Sequence, residues 1–148
     1  MVVRVARMKD AGIIARFNRA MALETENRQL AEEVITTGVR TLLKNPRDGF
    51  YVVAEMDGVI AAALMVTSEW SDWRNGFFWW IQSVYVKKEY RRQGLYSQMY
   101  RFVKSEAGKR AAVCGFRLYV EKDNLQARKT YETLGMDRTN YIFYEEMV

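Results

Sequence analysis

The sequence contains no histidine and only one cysteine, Cys114, among its 148 residues. Without histidine the chain lacks the usual general base, the usual zinc ligand and every Ser-His or Cys-His nucleophile pair. One cysteine allows neither an internal disulfide nor a thiolate metal cluster. Its neighbours Val113 and Phe116 predict that Cys114 is a small buried residue. Acid–base chemistry is therefore left to Glu, Asp, Tyr, Lys or water, and we expect no metal site.

Long apolar runs are also missing. The longest, residues 59–66 and 77–81, are far shorter than the roughly 20 apolar residues of a membrane-spanning helix. Residues 1–10 have no continuous apolar stretch of the kind found in signal peptides. We therefore expect a soluble, cytoplasmic protein with no membrane partner. With 49% hydrophobic and 28% charged residues, the composition predicts a single folded domain over residues 1–148.

The net charge of +5 is concentrated in one segment. Between Lys87 and Arg110 lie eight basic and two acidic residues, whereas the other 15 basic and 16 acidic residues sum to −1. This excess predicts an anionic partner at that segment. A basic nucleic-acid-binding domain is one alternative, but the sequence contains no RNA-binding aromatic signature. We expect no nucleic-acid partner.

Apolar periodicity and turn signals predict a mixture of strands and helices. The predicted strands cover residues 2–6, 50–55, 59–66, 77–86 and 116–121, with one or two more over 136–148. Asp10 is expected to cap the first helix, and Asp123 to cap the last one in an acidic capping box with Gln126. Two further helices are predicted over 30–43 and from 95 to about 108.

Two dipeptides predict hairpin turns, Asp57-Gly58 and Asn75-Gly76. The second closes a predicted polar loop, residues 68–76, that holds Trp70 and Trp73. In the strand that follows, neighbouring tryptophans 79 and 80 should point to opposite faces of the sheet. One is then expected in the core and the other in a pocket.

Residues 84–97 read as a strand end, a short basic loop and a helix start. The first backbone N–H groups of a helix have no internal partner and lie at the positive end of its dipole, so a phosphate can bind there. Gly94 allows the backbone to approach an anion, Arg91 and Arg92 add charge, and Ser97 adds a hydroxyl donor. From the residues alone, a solvated loop before a helix is an equal alternative.

Two segments resemble signatures of the GNAT superfamily of N-acetyltransferases. Arg91-Arg92-Gln93-Gly94-Leu95-Tyr96 is similar to its pyrophosphate-binding signature Arg/Gln-x-x-Gly-x-Gly/Ala, with Tyr96 in place of a small residue. Residues 124–136 resemble the family segment Asn-x-x-Ala-x-x-x-Tyr-x-x-x-Gly-Phe, with Asn124 and Tyr131 at the matching positions and Met136 for the usual Phe. The resemblance covers most of the chain from Phe50 onward.

The resemblance implies a GNAT-like α+β fold, with a mostly antiparallel mixed sheet of about six to seven strands and about four flanking helices. It implies direct acetyl transfer from acetyl-CoA to a primary amine, with a backbone N–H near residues 84–86 holding the oxyanion. Tyr131 would protonate the departing thiolate. The cofactor-binding residues it implies are Val84, Tyr85, Val86, Arg91, Arg92, Gln93, Gly94, Leu95, Tyr96, Ser97, Asn124 and Tyr131.

The acceptor is expected to be a small-molecule amine. Many GNAT relatives use a glutamate early on the fourth strand as the base, but Trp80 stands at that position here. Glu24, Glu26 and Asp72 are the candidate replacements. Regions that wall the acceptor site in the family make Glu24, Trp70 and Trp73 the predicted acceptor contacts. The other alternative is a module that binds acyl-CoA without catalysis, and the chain is expected to be a monomer or a homodimer.

Overall fold

The structure is a computed structural model that describes residues 1–110 and 112–148. Its contacts divide the chain into two compact units, Met1–Leu118 and Tyr119–Val148. The first unit holds a β-sheet and three α-helices, and the second holds one further helix. A single domain over residues 1–148 stays a prediction.

The sheet lies entirely in the first unit. Within the described residues its five strands are β1 (Val2–Val5), β2 (Gly49–Met56), β3 (Val59–Ser71), β4 (Gly76–Val86) and β5 (Val113–Arg117). They lie in the order β1-β2-β3-β4-β5, and each pair is antiparallel except the parallel pair of β4 and β5. The predicted mixed α+β class is confirmed, but the strand count is five rather than six to seven.

The difference in strand count arises near the C-terminus. Residues 136–148, predicted to supply one or two strands, contain none. β5 ends at Arg117 instead of covering residues 116–121. Large side chains in this tail, including Tyr141 and Tyr144, are exposed. A strand needs a hydrogen-bonded neighbour as well as a suitable composition, and composition does not specify that neighbour.

The four helices are α1 (Ala11–Glu26), α2 (Glu32–Lys44), α3 (Leu95–Gly108) and α4 (Leu125–Thr133). Asp10 is the N-cap residue of α1, as predicted, but its side chain makes no capping hydrogen bond to that helix, and the predicted Asp123 cap of α4 is wrong. Asp10 precedes α1, but its carboxylate accepts hydrogen bonds from the Arg4 side chain and the Arg7 N–H instead. A charge-assisted pair of this kind is stronger than an ordinary cap. At α4 the cap is Asn124, whose side chain accepts from the Ala127 N–H at 3.2 Å.

Helices pack against both faces of the sheet. On one face, Phe17 of α1 and Val39 of α2 pack with Tyr51, Val53 and Ala63 of the sheet. On the opposite face lie the alternate strand residues, and there the Tyr100 ring of α3 meets the Phe116 ring of β5 at 5.8 Å. No helix within the described residues is long and apolar enough to cross a membrane.

Turn chemistry and edge position decide two further predictions. The hairpin at Asp57-Gly58 is confirmed, with both residues at positive φ, 51° and 79°, as the tight turn requires.

Cys114, predicted to be buried, is exposed. It lies on β5, at the edge of the sheet, and the alternation of side chains along an edge strand leaves one set facing solvent.

Candidate functional site

β4 carries a bulge near its C-terminal end. Ala63 pairs with Tyr85 but Met65 pairs with Gln82, so β4 has one extra residue, and Ser83 adopts a φ of 51°. Bulges bend a strand and take its backbone groups out of the ladder. On the other side of β4, the last pair with β5 is Trp80 with Arg117. Among the described residues, the stretch 81–86 therefore has no strand beside it on that edge.

The β4–α3 connection ends in a helix start that is open to a ligand. Gly94 precedes α3 with a φ of 76°, a left-handed conformation that glycine adopts without strain. The Gln98 N–H donates to the Gly94 carbonyl at 3.1 Å. In an α-helix the N–H groups of the first turn, here including those of Leu95 and Ser97, point out of the N-terminus with no acceptor within the helix. A side chain added at Gly94 would meet no atom within 4 Å. This helix start has the free donors and the space that a phosphate needs.

The residues around Gly94 divide into anchors and exposed charges. Leu95 is buried, which fixes the first turn of α3 to the sheet. The Tyr96 ring stacks on the Tyr100 ring at 6.2 Å, so this bulky residue packs along the helix. Arg92 is exposed and forms no ion pair with any described residue. The Gln93 side chain donates to the Glu89 carbonyl at 3.1 Å.

Glu24, Tyr85 and Arg91, three of the predicted site residues, meet at the C-terminal end of β4. Arg91 Nη2 lies 2.8 Å from Glu24 Oε2, and Arg91 Nε donates to the Val86 carbonyl at 2.9 Å. The Tyr85 hydroxyl donates to Glu24 Oε1 at 3.3 Å. Lys88 Nζ lies 3.8 Å from the same carboxylate oxygen.

These contacts set the charge state of the cluster. The hydrogen bond from Arg91, with the charges of Arg91 and Lys88, holds the pKa of Glu24 below its ordinary value of 4.5. Burial, and then the neighbouring Glu24 charge, raises the pKa of Tyr85 above 10.0. Glu24 is therefore an anion at neutral pH, and Tyr85 is a neutral hydrogen-bond donor.

The predicted acceptor residues of the β3–β4 hairpin lie elsewhere. Trp70 belongs to β3, not to a loop, and its ring packs against Phe77 at 5.0 Å. Asp72 and Trp73 occupy the turn beyond Ser71 and Gly76, and the Trp73 residue is 88% exposed. At about 3.3 Å per residue, this turn is about 30 Å along β4 from Tyr85. The structure therefore does not bring Asp72 and Trp73 together with Glu24.

A carboxylate that the sequence prediction missed lies on the same sheet face as Tyr85. Glu69 of β3 accepts from the Trp80 indole N–H and from Arg117, both at 2.7 Å. Trp79, the neighbour of Trp80, lies in the core, which confirms the prediction that one tryptophan of this pair is buried. The sequence predicts a polar loop over residues 68–76, which includes Glu69. In the structure β3 continues to Ser71. Side chains alternate along it, so Glu69 lies on the same face as Thr67, which pairs with Trp80.

The second unit carries the other two predicted site residues. Asn124 uses its side-chain oxygen to cap α4, so its amide NH₂ group remains for a ligand. Tyr131 lies on α4, is half-buried, and its pKa is raised above 10.0 by burial. Their contacts with a cofactor stay predictions. Within residues 1–110 and 112–148, no group of three or more Cys, Asp or Glu is placed to hold a metal ion.

Comparisons with known proteins identify the family. A family model described as the Acetyltransferase (GNAT) family matches residues 16–136. The chain belongs to this family. A possible acetyltransferase from Clostridium difficile 630 has a similar structure, with a TM-score of 0.91 and 47% sequence identity, covering 99% of this chain and 97% of that one. No curated protein sequence matches the chain.

More distant structures share the GNAT fold. A predicted acetyltransferase from Clostridium acetobutylicum, solved with acetyl-CoA, gives a TM-score of 0.80 at 18% identity, over 98% of this chain and 95% of that chain. AAC(6')-Iy in complex with the bisubstrate analogue CoA-S-monomethyl-acetylneamine gives a TM-score of 0.77 at 13% identity, over 99% of this chain and 98% of that chain. At these identities the likeness concerns the fold alone.

Proposed function

We propose that this GNAT acetyltransferase transfers the acetyl group of acetyl-CoA to a primary amine of a small molecule in the cytoplasm. The observation that carries the proposal is the open helix start at Gly94 next to the unpaired end of β4. Membership of the GNAT family supports acetyl transfer. Relatives of the same fold solved with acetyl-CoA and with a CoA–acetylneamine analogue support the cofactor and the small-molecule acceptor.

The residues at the start of α3 are suited to the pyrophosphate of CoA. The N–H groups of Leu95 and Ser97 supply fixed donors, and the exposed Arg92 supplies a positive charge. The Ser97 hydroxyl is a further donor. When bound, acetyl-CoA would supply the acetyl group that is transferred, and its thiol would be the leaving group.

The chain's own groups then assist the transfer. Backbone N–H groups of residues 84–86 stabilise the oxyanion that develops when the amine nitrogen attacks the thioester carbon. Transfer would form the bond between the amine nitrogen and the acetyl carbon and would break the C–S bond, whose electron pair would leave on sulfur as the thiolate. Tyr131 donates its phenolic proton to that thiolate and regains, through water, the second proton that the attacking nitrogen loses as the amide forms; its raised pKa keeps the phenol protonated at neutral pH.

The acceptor must first lose a proton, because an alkylammonium has a pKa near ~10. Glu24 is the predicted carboxylate that contacts Tyr85 at the C-terminal end of β4. Glu24, anionic at neutral pH, attracts the ammonium ion, and the proton leaves through a carboxylate or water to solvent. Asp72 is not proposed for this role, because it lies at the far end of β4.

Calorimetry with CoA tests the cofactor site. The parent should bind CoA, and Arg92→Ala should weaken binding roughly 3- to 10-fold, since a charge-assisted contact to phosphate is removed. Arg47→Ala, an exposed arginine outside the site, is the matched control. No binding by the parent would overturn the cofactor assignment.

A thiol-release assay with an amine panel tests the reaction. Tyr131→Phe deletes only the hydroxyl, so kcat should fall ~10²- to 10⁴-fold while CoA affinity is retained. CoA binding without turnover of any amine would favour the non-catalytic acyl-CoA-binding module over the enzyme. An unchanged kcat in Tyr131→Phe, measured by single turnover, would remove Tyr131 from the chemistry.

A further inference from the structure

In the proposed function Arg91 and Glu24 bind different ligands, yet their side chains contact each other. Arg91 belongs to the segment assigned to the cofactor pyrophosphate, and Glu24 is assigned to the acceptor ammonium. Their side chains nevertheless form an ion pair at 2.8 Å. While that pair is intact, the guanidinium neutralises the carboxylate, and each group is less available to a ligand of opposite charge.

The pair is built to be exchanged. The Arg91 and Glu24 side chains are 39% and 28% exposed, and an ion pair at such a surface adds little to stability. Arg91 is also anchored independently of Glu24, through its Nε bond to the Val86 carbonyl. Its two terminal nitrogens can therefore change partner while the side chain stays at the end of β4.

A diphosphate is the stronger partner for the guanidinium. Guanidinium–phosphate contacts are often bidentate and charge-assisted, and the N–H donors of Leu95 and Ser97 at the start of α3 would hold the anion close to the same loop. Lys88 lies 3.8 Å from Glu24 but is more exposed, and Tyr85 contributes a neutral hydroxyl. The remaining charged group that acts on Tyr85 is Glu89. Among the described residues, loss of Arg91 thus leaves Glu24 with Lys88 as its remaining cationic neighbour.

We propose that Arg91 couples the two substrate sites by changing partner. It pairs with Glu24 when CoA is absent and with the CoA pyrophosphate when CoA is bound, which leaves Glu24 to bind the ammonium group of the acceptor. The inference rests on the proposed function and adds an order to it, since the acceptor site is complete only after the cofactor has bound. Coupling between sites is reciprocal, so bound CoA raises acceptor affinity by the factor by which the acceptor raises CoA affinity.

The coupling predicts that removing the carboxylate strengthens cofactor binding. CoA has to displace Glu24 from Arg91 in the parent but not in Glu24→Gln. Calorimetry should therefore show CoA binding about 2- to 5-fold tighter in Glu24→Gln, the equivalent of a surface ion pair. Glu33→Gln, the same substitution at an exposed position of α2, controls for the change in net charge and should differ from the parent by less than that.

Acceptor binding gives the second measurement. Once an amine substrate is found, its affinity is measured by calorimetry with and without CoA. The parent should bind the amine more tightly when CoA is present, and Glu24→Gln should bind it weakly in both states. Thermal unfolding of each variant confirms that the protein is folded.

The outcomes separate the coupling from the function itself. A parent that binds no CoA refutes the proposed function. A parent that binds CoA and acetylates amines, with Glu24→Gln unchanged or weaker in CoA affinity, refutes the exchange and leaves the function standing. Equal tightening in Glu24→Gln and Glu33→Gln would also refute it, because net charge alone would then account for the effect.

Discussion

Two arginine–carboxylate clusters in the first unit use the same chemistry in different surroundings. Arg4 binds Asp10 through both terminal nitrogens, at 2.8 and 3.0 Å, and Glu55 through Nε at 2.7 Å. Arg91 binds Glu24 at 2.8 Å. The Asp10 side chain is 4% exposed, whereas that of Glu24 is 28% exposed. Burial, not the contact distance, distinguishes the two clusters.

The difference in burial indicates that the Arg4 cluster stabilises the fold, whereas the pair of Arg91 and Glu24 can change partners. Burial alone would raise the pKa of Asp10, but the hydrogen bonds from Arg4 and the Arg7 N–H outweigh it and hold the pKa below 3.8. Arg4, Asp10 and Glu55 join β1, the start of α1 and β2, and breaking a buried pair leaves an uncompensated charge. Glu24 and Arg91 can each return to water, so their pair can be exchanged at small cost.

Removing the buried carboxylate should have the largest effect. Asp10→Asn leaves Arg4 without its main partner, and we expect it to lower the free energy of unfolding by roughly 3 kcal/mol. Chemical denaturation measures this value, with Glu24→Gln as the exposed counterpart at under about 1 kcal/mol. Equal losses in the two variants would show that burial does not separate the clusters.

Acid should reproduce part of that loss. Because the pKa of Asp10 is lower in the folded than in the unfolded chain, its contribution to stability is present above 3.8 and is lost as the pH falls through the folded pKa. Denaturation of the parent between pH 6 and pH 2 should show this decline. Asp10→Asn should have a shallower decline over the same range, and parallel curves would assign the acid sensitivity to other groups.

Replacing arginine with lysine sharpens the comparison by keeping the charge. Arg4→Lys loses the planar fork that contacts two carboxylates, and the unfolding free energy should fall by roughly 1.5–3 kcal/mol. Arg91→Lys should leave stability almost unchanged because its pair is exposed. A loss in Arg91→Lys as large as in Arg4→Lys would mean that the Arg91 cluster is also structural.

Salt should give the smallest effect. A double-mutant cycle on Arg91→Gln and Glu24→Gln should yield a coupling free energy of about 0–1 kcal/mol that declines towards zero in 1 M salt. The same cycle on Arg4→Gln and Asp10→Asn should yield a larger coupling that salt reduces less, since buried charges are screened less. Equal salt dependence in the two cycles would contradict the difference in burial.

The sequence by itself determined the features that depend on neighbours in the chain. Asp57-Gly58 specifies its hairpin because both residues accept positive φ, and Gly94 marks the start of α3 because its φ of 76° favours glycine. Alternation along β4 placed Trp79 and Trp80 on opposite faces. Two short signatures indicated the family that the comparisons confirm.

Only the tertiary structure decided which distant residues meet. Glu24 and Arg91 are 67 positions apart, and Glu69 and Arg117 are 48 apart, so no local pattern pairs them. The bulge in β4 and the length of β3 decided that Glu69 lies beside Trp80 and that Asp72 lies far from Glu24. Strand pairing also decided that Cys114 is exposed and that residues 136–148 form no strand. The reason is physical: periodicity and turn chemistry act over a few residues, whereas register, burial and ion pairing depend on which elements pack together.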